Sequence, residues 1–499
     1  MRILHWFRKD LRLDDNPALS AAVHDATRGV VPFYTSDPTW FAAPDMAPTR
    51  VRFVLDSLAE LAGRIERCGS RLALAHGDPV ETVVAAARAA GADAVSWNDE
   101  YEPELRARDE RVAAALTAAG IGVRRAHDRL VVTPGAVQSG SGTPYTVYTP
   151  FRKACEGLPI PTPHAAVTRL APHDLPTREF ATLARLGLAE PASAPWPAGE
   201  SNAQARLERF LANGLARYGS ERDYPSAPAV SQLSADLKFG TIGIRRVAHA
   251  ALDAAQRDDT LVPHTVKFVQ ELRWRDFFAH VLWNFPHVAH GAFRPEYDAL
   301  RWRGTDAMFA AWAEGRTGYP IVDAGMRELL ATGLMHNRVR MIVASFLTKD
   351  LLVDWRRGER WFMQHLVDGD LASNNGGWQW AAGTGTDAAP YFRIFNPVTQ
   401  GMRFDAAGLY VRRWCPELTR LPDAHLHAPW EAPPLVLAEA GVTLGETYPF
   451  PVVDHAVQRE QALAMYAEVK GATAKPLTES PDERAARAAK LRKGRGPRR

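Results

Sequence analysis

The first part of the chain alternates short apolar runs with longer stretches of mixed polarity. Five six-residue runs predict short strands, of which the first is expected to be buried: RILHWF, GVVPFY, RLALAH, ADAVSW and GVRRAH. Between them, apolar positions recur with a period near 3.6, which indicates helices. The clearest stripe stops before Gly69 and consists of Val51, Val54, Leu55, Leu58, Leu61, Ala62 and Ile65. Alternating strands and helices predict a Rossmann-like, doubly wound parallel sheet.

The pattern changes after Asn202, where strand signals almost vanish and long helical stretches follow. Examples are NAQARLERFLANGLARYG, PHTVKFVQELRWRDFFAHVLW, GMRELLATGLMHNRVRMIVASFLTKDLL and GERWFMQHLV. We therefore expect an α/β domain over 1–130, a connector over 131–201, a large all-helical domain over 202–470 and a basic, disordered tail over 471–499. The connector is rich in Pro, Ala and Thr, which is typical of a segment that runs over a surface.

Composition narrows the class of protein. The chain has 499 residues with 46% hydrophobic and 23% charged residues, values typical of a soluble globular protein of at least two domains. A net charge of +3 means that any nucleic-acid surface must come from local clustering of cations. Cys68, Cys155 and Cys415 lie far apart, which favours a reducing cytoplasm. Neither a signal peptide nor a membrane-spanning run is expected.

Several common motifs are absent from the sequence. No G-x-G-x-x-G follows the first predicted strand, and there is no Walker loop, H-E-x-x-H, C-x-x-C or G-x-S-x-G. The glycine-rich SGSGTP segment near Gly140 is not framed by a strand and a helix, so a surface turn is expected there. We expect no metal site.

Two segments of the predicted helical domain place polar groups beside an aromatic or thioether side chain on one face. Glu271, Trp274 and Arg275 share a face in QELRWRDFF, and Asn337, Arg338 and Met341 share one in MHNRVRMIV. An acid, an indole and a guanidinium suit a polar, planar, anionic ligand, whereas an exposed helix over an ordinary core is the alternative for each motif alone. Asn can present a donor and an acceptor together, and Met adapts to an apolar ring.

Two further segments suit the binding of a nucleotide. Ser231 and Ser234, near a helix start in VSQLSADLKFG, are candidates for holding phosphate oxygens, although simple helix caps are the commoner reading. In DGDLASNNGGWQW, Asp368 to Trp380, two carboxylates and an amide precede two glycines and two tryptophans. The glycines allow close approach of the backbone to a ligand.

Together these motifs resemble the photolyase/cryptochrome family. The resemblance rests on WFRKDLRLDDNPAL at the N-terminus and on Thr317 to Pro397, and it extends over essentially the whole chain except the tail. The nearest subgroup is the class I cyclobutane pyrimidine dimer photolyases of bacterial type. The resemblance implies one noncovalent FAD, fully reduced when active, and UV-damaged DNA as the partner. It also implies a cytoplasmic monomer that does not bind membranes.

Residue roles follow from the resemblance, motif by motif. The implied FAD-binding residues are Tyr218, Val230, Ser231, Gln232, Leu233, Ser234, Arg340, Asp368, Gly369, Asp370 and Asn374, with Asn374 facing the flavin N5. The implied lesion pocket consists of Glu271, Trp274, Asn337, Met341 and Trp380. The implied DNA contacts are Arg222, Arg275, Arg338, Arg393 and Gln400. Trp378, Trp355 and Trp302 are implied to carry electrons from the surface to the flavin.

The sequence departs from the family pattern in two places. The phosphate loop usually begins Thr-Ser, but here it begins Val230-Ser231. A histidine and an Asn-Glu pair accompany a methenyltetrahydrofolate antenna in relatives, and the matching places here are Pro44 and Pro103-Glu104. The second chromophore is therefore open between folate, 8-hydroxy-deazaflavin and none.

Two rival functions belong to the same family. A blue-light receptor of the cryptochrome type is one, and the resemblance disfavours it because photolyases have Asn, as at Asn374, where plant-type receptors have Asp and animal-type receptors Cys. A (6-4) photolyase is the other, and those enzymes have a catalytic histidine where this chain has Asn337.

Overall fold

The computed structural model describes residues 1–191, 196–388 and 390–469. The basic tail predicted over 471–499 lies outside the described residues. The N-terminal part contains one five-stranded parallel sheet with the strand order β3-β2-β1-β4-β5. Its strands are β1 Ile3–Phe7, β2 Val30–Ser36, β3 Ala73–His76, β4 Ala94–Asn98 and β5 Gly122–Ala126. The predicted doubly wound sheet is confirmed.

Five helices surround the strands of the sheet, and each begins with a proline. They are α1 Pro17–Asp25, α2 Pro38–Phe41, α3 Pro48–Arg67, α4 Pro79–Ala89 and α5 Pro103–Ala118. Proline suits the first helical position because its missing N–H has no partner there in any case. The predicted stripe of α3 faces the core, and the chain turns away at Gly69, whose φ of +85° is easy only for glycine.

The connector crosses the sheet domain with little regular structure. After α6 Tyr148–Glu156, its described residues form one short 3₁₀ turn, Ala184–Leu186. Backbone hydrogen bonds fasten it to the sheet domain, as from Val167 N to Leu13 O (3.1 Å) and from Leu170 N to Cys68 O (2.9 Å). The glycine-rich segment near Gly140 forms an exposed turn, as predicted.

The second domain is almost entirely helical. Its α-helices are α7 Glu200–Asn213, α8 Leu215–Glu221, α9 Ser234–Phe239, α10 Ile244–Arg257, α11 Val262–Asn284, α12 Asp306–Ala313, α13 Pro320–Thr332, α14 Asn337–Ser345, α15 Trp355–His365, α16 Leu371–Ala382, α17 Pro397–Phe404, α18 Leu409–Trp414, α19 Asp423–Leu426, α20 Pro434–Ala440 and α21 His455–Val469. Helix α14 continues into a π-helical turn, Phe346–Asp350, and short 3₁₀ turns are Asp259–Leu261, Pro286–Ala289, Pro295–Ala299, Pro416–Leu418 and Pro429–Glu431.

Helix α16 lies at the centre of this domain. It packs against α11, α14 and α15, so residues from four helices meet around it. The largest apolar cluster, which contains Trp312, Trp355 and Trp378, lies on one side of α16. The fold thereby brings the sequence motifs of α11, α14 and α16 together.

Candidate functional site

Helix α16 presents one face to the core and another to open space. Trp378 is 2% exposed, whereas Asn374 is half-buried and Gly377 is exposed. A Cβ atom added at Gly377 would meet nothing within 4 Å, but one at Gly376 would collide with the ring of Phe278. The chain is therefore held close to α11 at Gly376, while Gly377 leaves room for a ligand beside the helix.

The outer face of α11 carries the acid and the indole that the sequence singled out. Glu271 and Trp274 are both half-buried. Trp274 stacks on Tyr148 with ring centroids 3.6 Å apart and planes 11° apart, so one indole face is fixed by the protein. Glu271 accepts a hydrogen bond from the Arg222 guanidinium, so two predicted site residues form an ion pair.

The first turn of α14 carries a polar and an apolar group on one side. Asn337 is exposed and Met341 is half-buried. Before them, His336 caps the helix by accepting from Arg338 N (3.2 Å), and burial lowers the pKa of His336 to about 4, so the imidazole is neutral at pH 7. The Arg338 side chain pairs with Asp223 (3.1 Å) and covers the Phe404 ring.

The start of the α16 segment is anchored by ion pairs. Arg340 donates to both carboxylate oxygens of Asp368 (2.9 and 3.1 Å). A side chain at Gly369 would collide with the Arg50 guanidinium, which explains the glycine there. Asp370 caps α16 through Oδ1, which accepts from Ser373 N (3.0 Å).

The second oxygen of Asp370 faces the sheet domain, which the sequence did not predict. It accepts hydrogen bonds from Tyr101 Oη (2.6 Å) and Lys238 Nζ (3.0 Å). Burial alone would raise the pKa of Asp370, but Lys238, Arg129 and Arg275 hold it well below its usual range. A signal was present in the sequence, because charged residues follow β1 and β4, and the carboxyl ends of parallel strands meet at one edge.

Arg275 belongs to the same interdomain region. Its guanidinium donates to the backbone oxygens of Arg129 and Leu237 (2.9 Å to the latter). These contacts direct the side chain between the domains, away from the face of α11 that holds Glu271. Two of its five N–H donors are engaged in this way, and its role in DNA binding stays a prediction.

Asn374 is oriented by a neighbouring residue that the sequence analysis missed. Its Nδ2 donates to the backbone oxygen of Glu359 (3.0 Å), and Nδ2 of Asn375 donates to the Glu359 carboxylate (3.0 Å). Burial raises the pKa of Glu359 to about 7, against the effect of Asn375. Glu359 therefore holds both amides of the Asn-Asn pair.

The predicted phosphate loop has one strained residue. Gln232 has a φ of +56°, which is uncommon for a side chain other than glycine, while Leu233 is buried and anchors the loop. Ser231 is half-buried, Val230 is half-buried, and Ser234 is exposed at the start of α9. Tyr218 is 8% exposed on α8, which packs against α11. Strain of this kind is common at ligand-binding sites.

The three predicted electron carriers meet at one apolar cluster. Trp378 and Trp355 are buried members of it, and half-buried Trp302 packs against it. Trp378 lies 6.0 Å from Trp312 and 5.0 Å from Phe362 between ring centroids. Trp380 is half-buried instead, so the two indoles of the WQW motif have different surroundings.

The remaining predicted contacts lie near the surface. Arg393 is exposed and Gln400 is half-buried on α17; the neighbouring Phe392 is 60% exposed. Two positions match those that accompany a folate antenna in relatives. Pro44 O accepts a hydrogen bond from Gln364 Nε2 (3.2 Å), and Glu104 lies in the first turn of α5. Nearby, the Arg106 guanidinium lies 3.4 Å from the Trp283 ring centroid, which links the two domains.

One arrangement in the sheet domain resembles a hydrolytic triad. His5 Nδ1 is 2.9 Å from Ser96 Oγ, and His5 Nε2 is 3.7 Å from Asp10. All three side chains are at most 2% exposed, so no substrate can reach the serine. Within 1–191, 196–388 and 390–469, no group of three or more acidic, His or Cys residues is placed to hold a metal ion. Nor does any helix in those ranges have the length and apolarity needed to cross a membrane.

The open face of α16, with its neighbours on α11 and α14, fits a flat, polar ligand such as a flavin. Asn374 offers an amide, Gly377 offers room, and Arg340 with Asp368 offers polar groups at the side. Aromatic and thioether side chains at Trp274, Trp380 and Met341 can contact a second planar group.

Comparison with known proteins agrees with this reading. Residues 3–167 match the family model described as DNA photolyase, and residues 268–468 match the FAD binding domain of DNA photolyase. A deoxyribodipyrimidine photo-lyase of Synechococcus sp. is 44% identical over 490 residues, which cover 96% of this chain and 99% of the relative.

Two solved structures share the whole fold. A bacterial class III photolyase from Agrobacterium tumefaciens has a TM-score of 0.88 and 43% identity, covering 94% of this chain and 98% of its own. A Synechocystis cryptochrome has a TM-score of 0.86 and 30% identity, and the match covers 93% of this chain and 99% of the cryptochrome chain.

Proposed function

Because the chain belongs to the photolyase/cryptochrome family, we propose that it is a deoxyribodipyrimidine photo-lyase, which uses light to split cyclobutane pyrimidine dimers in DNA. The observation that carries the proposal is the open face of α16, where Asn374 and Gly377 stand beside the half-exposed faces of α11 and α14. The open face of α16 suits a flavin, and the adjoining residues suit two stacked bases.

FAD is the cofactor that this site is proposed to hold without a covalent bond. The residues proposed to bind it are Tyr218, Val230 to Ser234, Arg340, Asp368, Gly369, Asp370 and Asn374. When held by these residues, reduced FAD would supply the light-driven one-electron chemistry that opening of the cyclobutane ring requires. The protein binds and orients, and the Asn374 amide, held by Glu359, is proposed to face the flavin N5.

The lesion is proposed to bind outside the flavin, against Glu271, Trp274, Asn337, Met341 and Trp380. Glu271 would accept a hydrogen bond from a base edge, and Arg222 would orient its carboxylate. The Trp274 face is already fixed by Tyr148, so stacking costs little further ordering. Flipping the dimer out of the duplex costs a few kcal/mol, and less where the bases are damaged, which favours the lesion.

Phosphates of the DNA backbone are proposed to contact Arg222, Arg338, Arg393 and Gln400. Arg393 is exposed, and Arg338 is half-buried beside Asp223. Such contacts release counterions, so affinity for damaged DNA should fall as salt rises. Equal affinity for UV-irradiated and intact thymine oligonucleotides would exclude a lesion pocket.

Trp378, Trp355 and Trp302 are proposed to pass electrons inward when the flavin is oxidised. Their common apolar cluster supports this role. Trp378→Phe keeps a ring in place but removes the oxidisable indole, so light-driven reduction of the flavin by an external reductant should collapse. Repair by chemically pre-reduced protein should persist. If Trp378 serves packing alone, stability, FAD retention and both activities should fall together.

The subclass and the antenna are finer questions. Assignment to class I is proposed from the sequence motifs, and the 43% identity to a class III enzyme gives class III comparable support. We propose that the second chromophore is of folate type, of deazaflavin type or absent. Acid extraction of purified protein, with spectral identification of every released chromophore, distinguishes these cases. We also propose that the protein acts as a monomer in the cytoplasm.

The decisive experiment is repair itself. Purified protein should release one free FAD per chain on acid treatment and, when reduced and illuminated, restore thymines in a dimer-containing oligonucleotide. A cryptochrome-type light receptor, to which the Synechocystis structure gives weight, should hold FAD but leave dimers intact. Protein that contains no flavin and cannot be reconstituted would refute both functions.

A further inference from the structure

The two domains meet in a buried group of charges that reaches the start of α16. This interdomain cluster consists of Lys9, Glu100, Tyr101, Glu102, Arg129, Lys238 and Asp370. Glu100 accepts from Arg129 (2.6 Å), and Glu102 accepts from both Lys9 and Lys238 (2.7 Å each). Three cations thus face three carboxylates, and the cluster is neutral as a whole.

Tyr101 is the neutral member of the interdomain cluster. It is 3% exposed, follows β4 in the sheet domain, and donates to Asp370 Oδ2 over 2.6 Å. Arg129 donates to the Tyr101 oxygen in turn (3.2 Å) and covers its ring. The phenol is therefore fixed from both sides and aims its hydrogen at one carboxylate oxygen of the helical domain.

Asp370 transmits this contact to α16. Its other oxygen caps the helix at Ser373 N, and its backbone oxygen accepts from Asn374 N (2.8 Å). Because the α-helical backbone is regular, the orientation of the cap sets the backbone position of Asn374, whose side-chain amide is held by Glu359. The carboxylate has Tyr101, Lys238 and Ser373 as donors, which makes it a link between domains as much as a ligand for FAD.

We infer that Tyr101, from the sheet domain, is a positioning residue for the flavin site and acts through Asp370 on the first turn of α16. The inference rests on the proposed function, because it assigns a consequence for FAD. The ion pairs alone do not explain the arrangement. Buried pairs roughly offset their own desolvation, whereas a hydrogen bond from a fixed phenol gives the carboxylate a defined direction.

The test compares Tyr101→Phe with a matched control, Tyr448→Phe. Tyr448 is 1% exposed and donates to a buried carboxylate, Asp323 Oδ2, over 2.7 Å, but Asp323 belongs to α13 and does not cap α16. Both variants lose one buried phenol–carboxylate bond without changing charge. Each should lower the melting temperature by a similar amount.

Only Tyr101→Phe should alter the flavin site. We expect the dissociation constant for FAD to rise about tenfold, as for loss of a hydrogen bond to a charged group. The vibronic structure and the midpoint potential of bound flavin should also shift, while Tyr448→Phe leaves all three unchanged. Amide hydrogen exchange at Ser373 and Asn374, measured with and without FAD, should quicken in Tyr101→Phe alone.

The exchange measurement distinguishes failure of the inference about Tyr101 from failure of the proposed function. If wild-type protein proves unable to bind FAD, the proposed function fails, but faster exchange at Ser373 and Asn374 would still support positioning of α16. If Tyr101→Phe and Tyr448→Phe show the same exchange and the same flavin properties, Tyr101 is an ordinary domain contact and the inference is wrong.

Discussion

Buried carboxylates of the interdomain cluster differ in their pKa values from two buried carboxylates inside the helical domain. Glu100 and Glu102 follow β4, and although burial opposes it, Lys9, Arg129 and Lys238 lower their pKa values to about 2. Nearby arginines and hydrogen bonds compensate Asp276 on α11 and Glu359 on α15 only in part, and burial raises their pKa values to about 7. Carboxylates of the first kind are ionised and hold the domains together, whereas those of the second kind bind a proton near neutrality.

The candidate site contains a carboxylate, Glu271, that belongs to neither of these two groups. Glu271 is half-buried, with the Arg222 guanidinium and the more distant Lys267 ammonium (3.9 Å) beside it and an open face before it. The comparison therefore separates acids whose partners are all internal from an acid available to a ligand. Substitutions in the first group should cost stability, and substitution of Glu271 should cost function.

The largest effect is expected from Arg129→Met, which removes the central cation of the interdomain cluster. Glu100 and Asp370 would remain buried with one cation fewer, so unfolding should require about 3–5 kcal/mol less. Urea denaturation gives the measurement. Arg28→Met breaks the exposed pair with Asp93 instead and should leave the free energy of unfolding close to that of wild type. Equal losses of unfolding free energy in the two variants would contradict the assignment of Arg129 as the central cation of a buried cluster.

Glu271→Ala should have the next largest effect, but on repair. Loss of the hydrogen-bond partner of a buried base edge should raise the free-energy barrier between bound lesion and product by about 1–3 kcal/mol. FAD content and the unfolding midpoint should stay near those of wild type. Repair yield at saturating substrate is the measurement, with exposed Glu208→Ala as the control. A full yield in Glu271→Ala would reject its role at the dimer.

Glu102→Gln should change how acid affects stability. The lowered pKa of Glu102 means that its contribution is complete above about pH 4.5 and is lost as pH falls towards 2. The variant should be less stable than wild type at pH 7, and its stability should decline less steeply below pH 4.5. Unfolding midpoints across pH 2–7 test this, and identical slopes would argue against ionised pairing.

Asp276→Asn should produce the smallest effect, with the opposite sign. The folded-state pKa of about 7 means that Asp276 contributes most below about pH 4 and that this stability is lost as pH rises through 7. The variant should flatten this part of the profile. Asp253→Asn, at an exposed position of α10, is the control and should leave the profile unchanged. A wild-type profile that is flat between pH 4 and 7 would contradict the raised pKa.

The sequence by itself determined the elements and the chemistry of the open face. All five apolar runs became strands, because an alternation of buried strands and amphipathic helices is a local pattern. Glu271 with Trp274, and Asn337 with Met341, were found from helical spacing, since residues three or four apart share a face. The different surroundings of Trp378 and Trp380 also agree with the separate roles predicted for them.

Only the tertiary structure decided which distant residues pair with the polar groups of those helices. Tyr101 and Asp370 are 269 positions apart, and no periodicity links a residue after β4 to the cap of α16. Arg275 illustrates the same limit: spacing placed it beside Glu271, but its donors reach backbone oxygens of Arg129 and Leu237 between the domains. Local patterns fix which side of an element is polar. Which partner satisfies a buried charge depends on domains brought together by folding, because a buried polar group must find its partner wherever the chain supplies one.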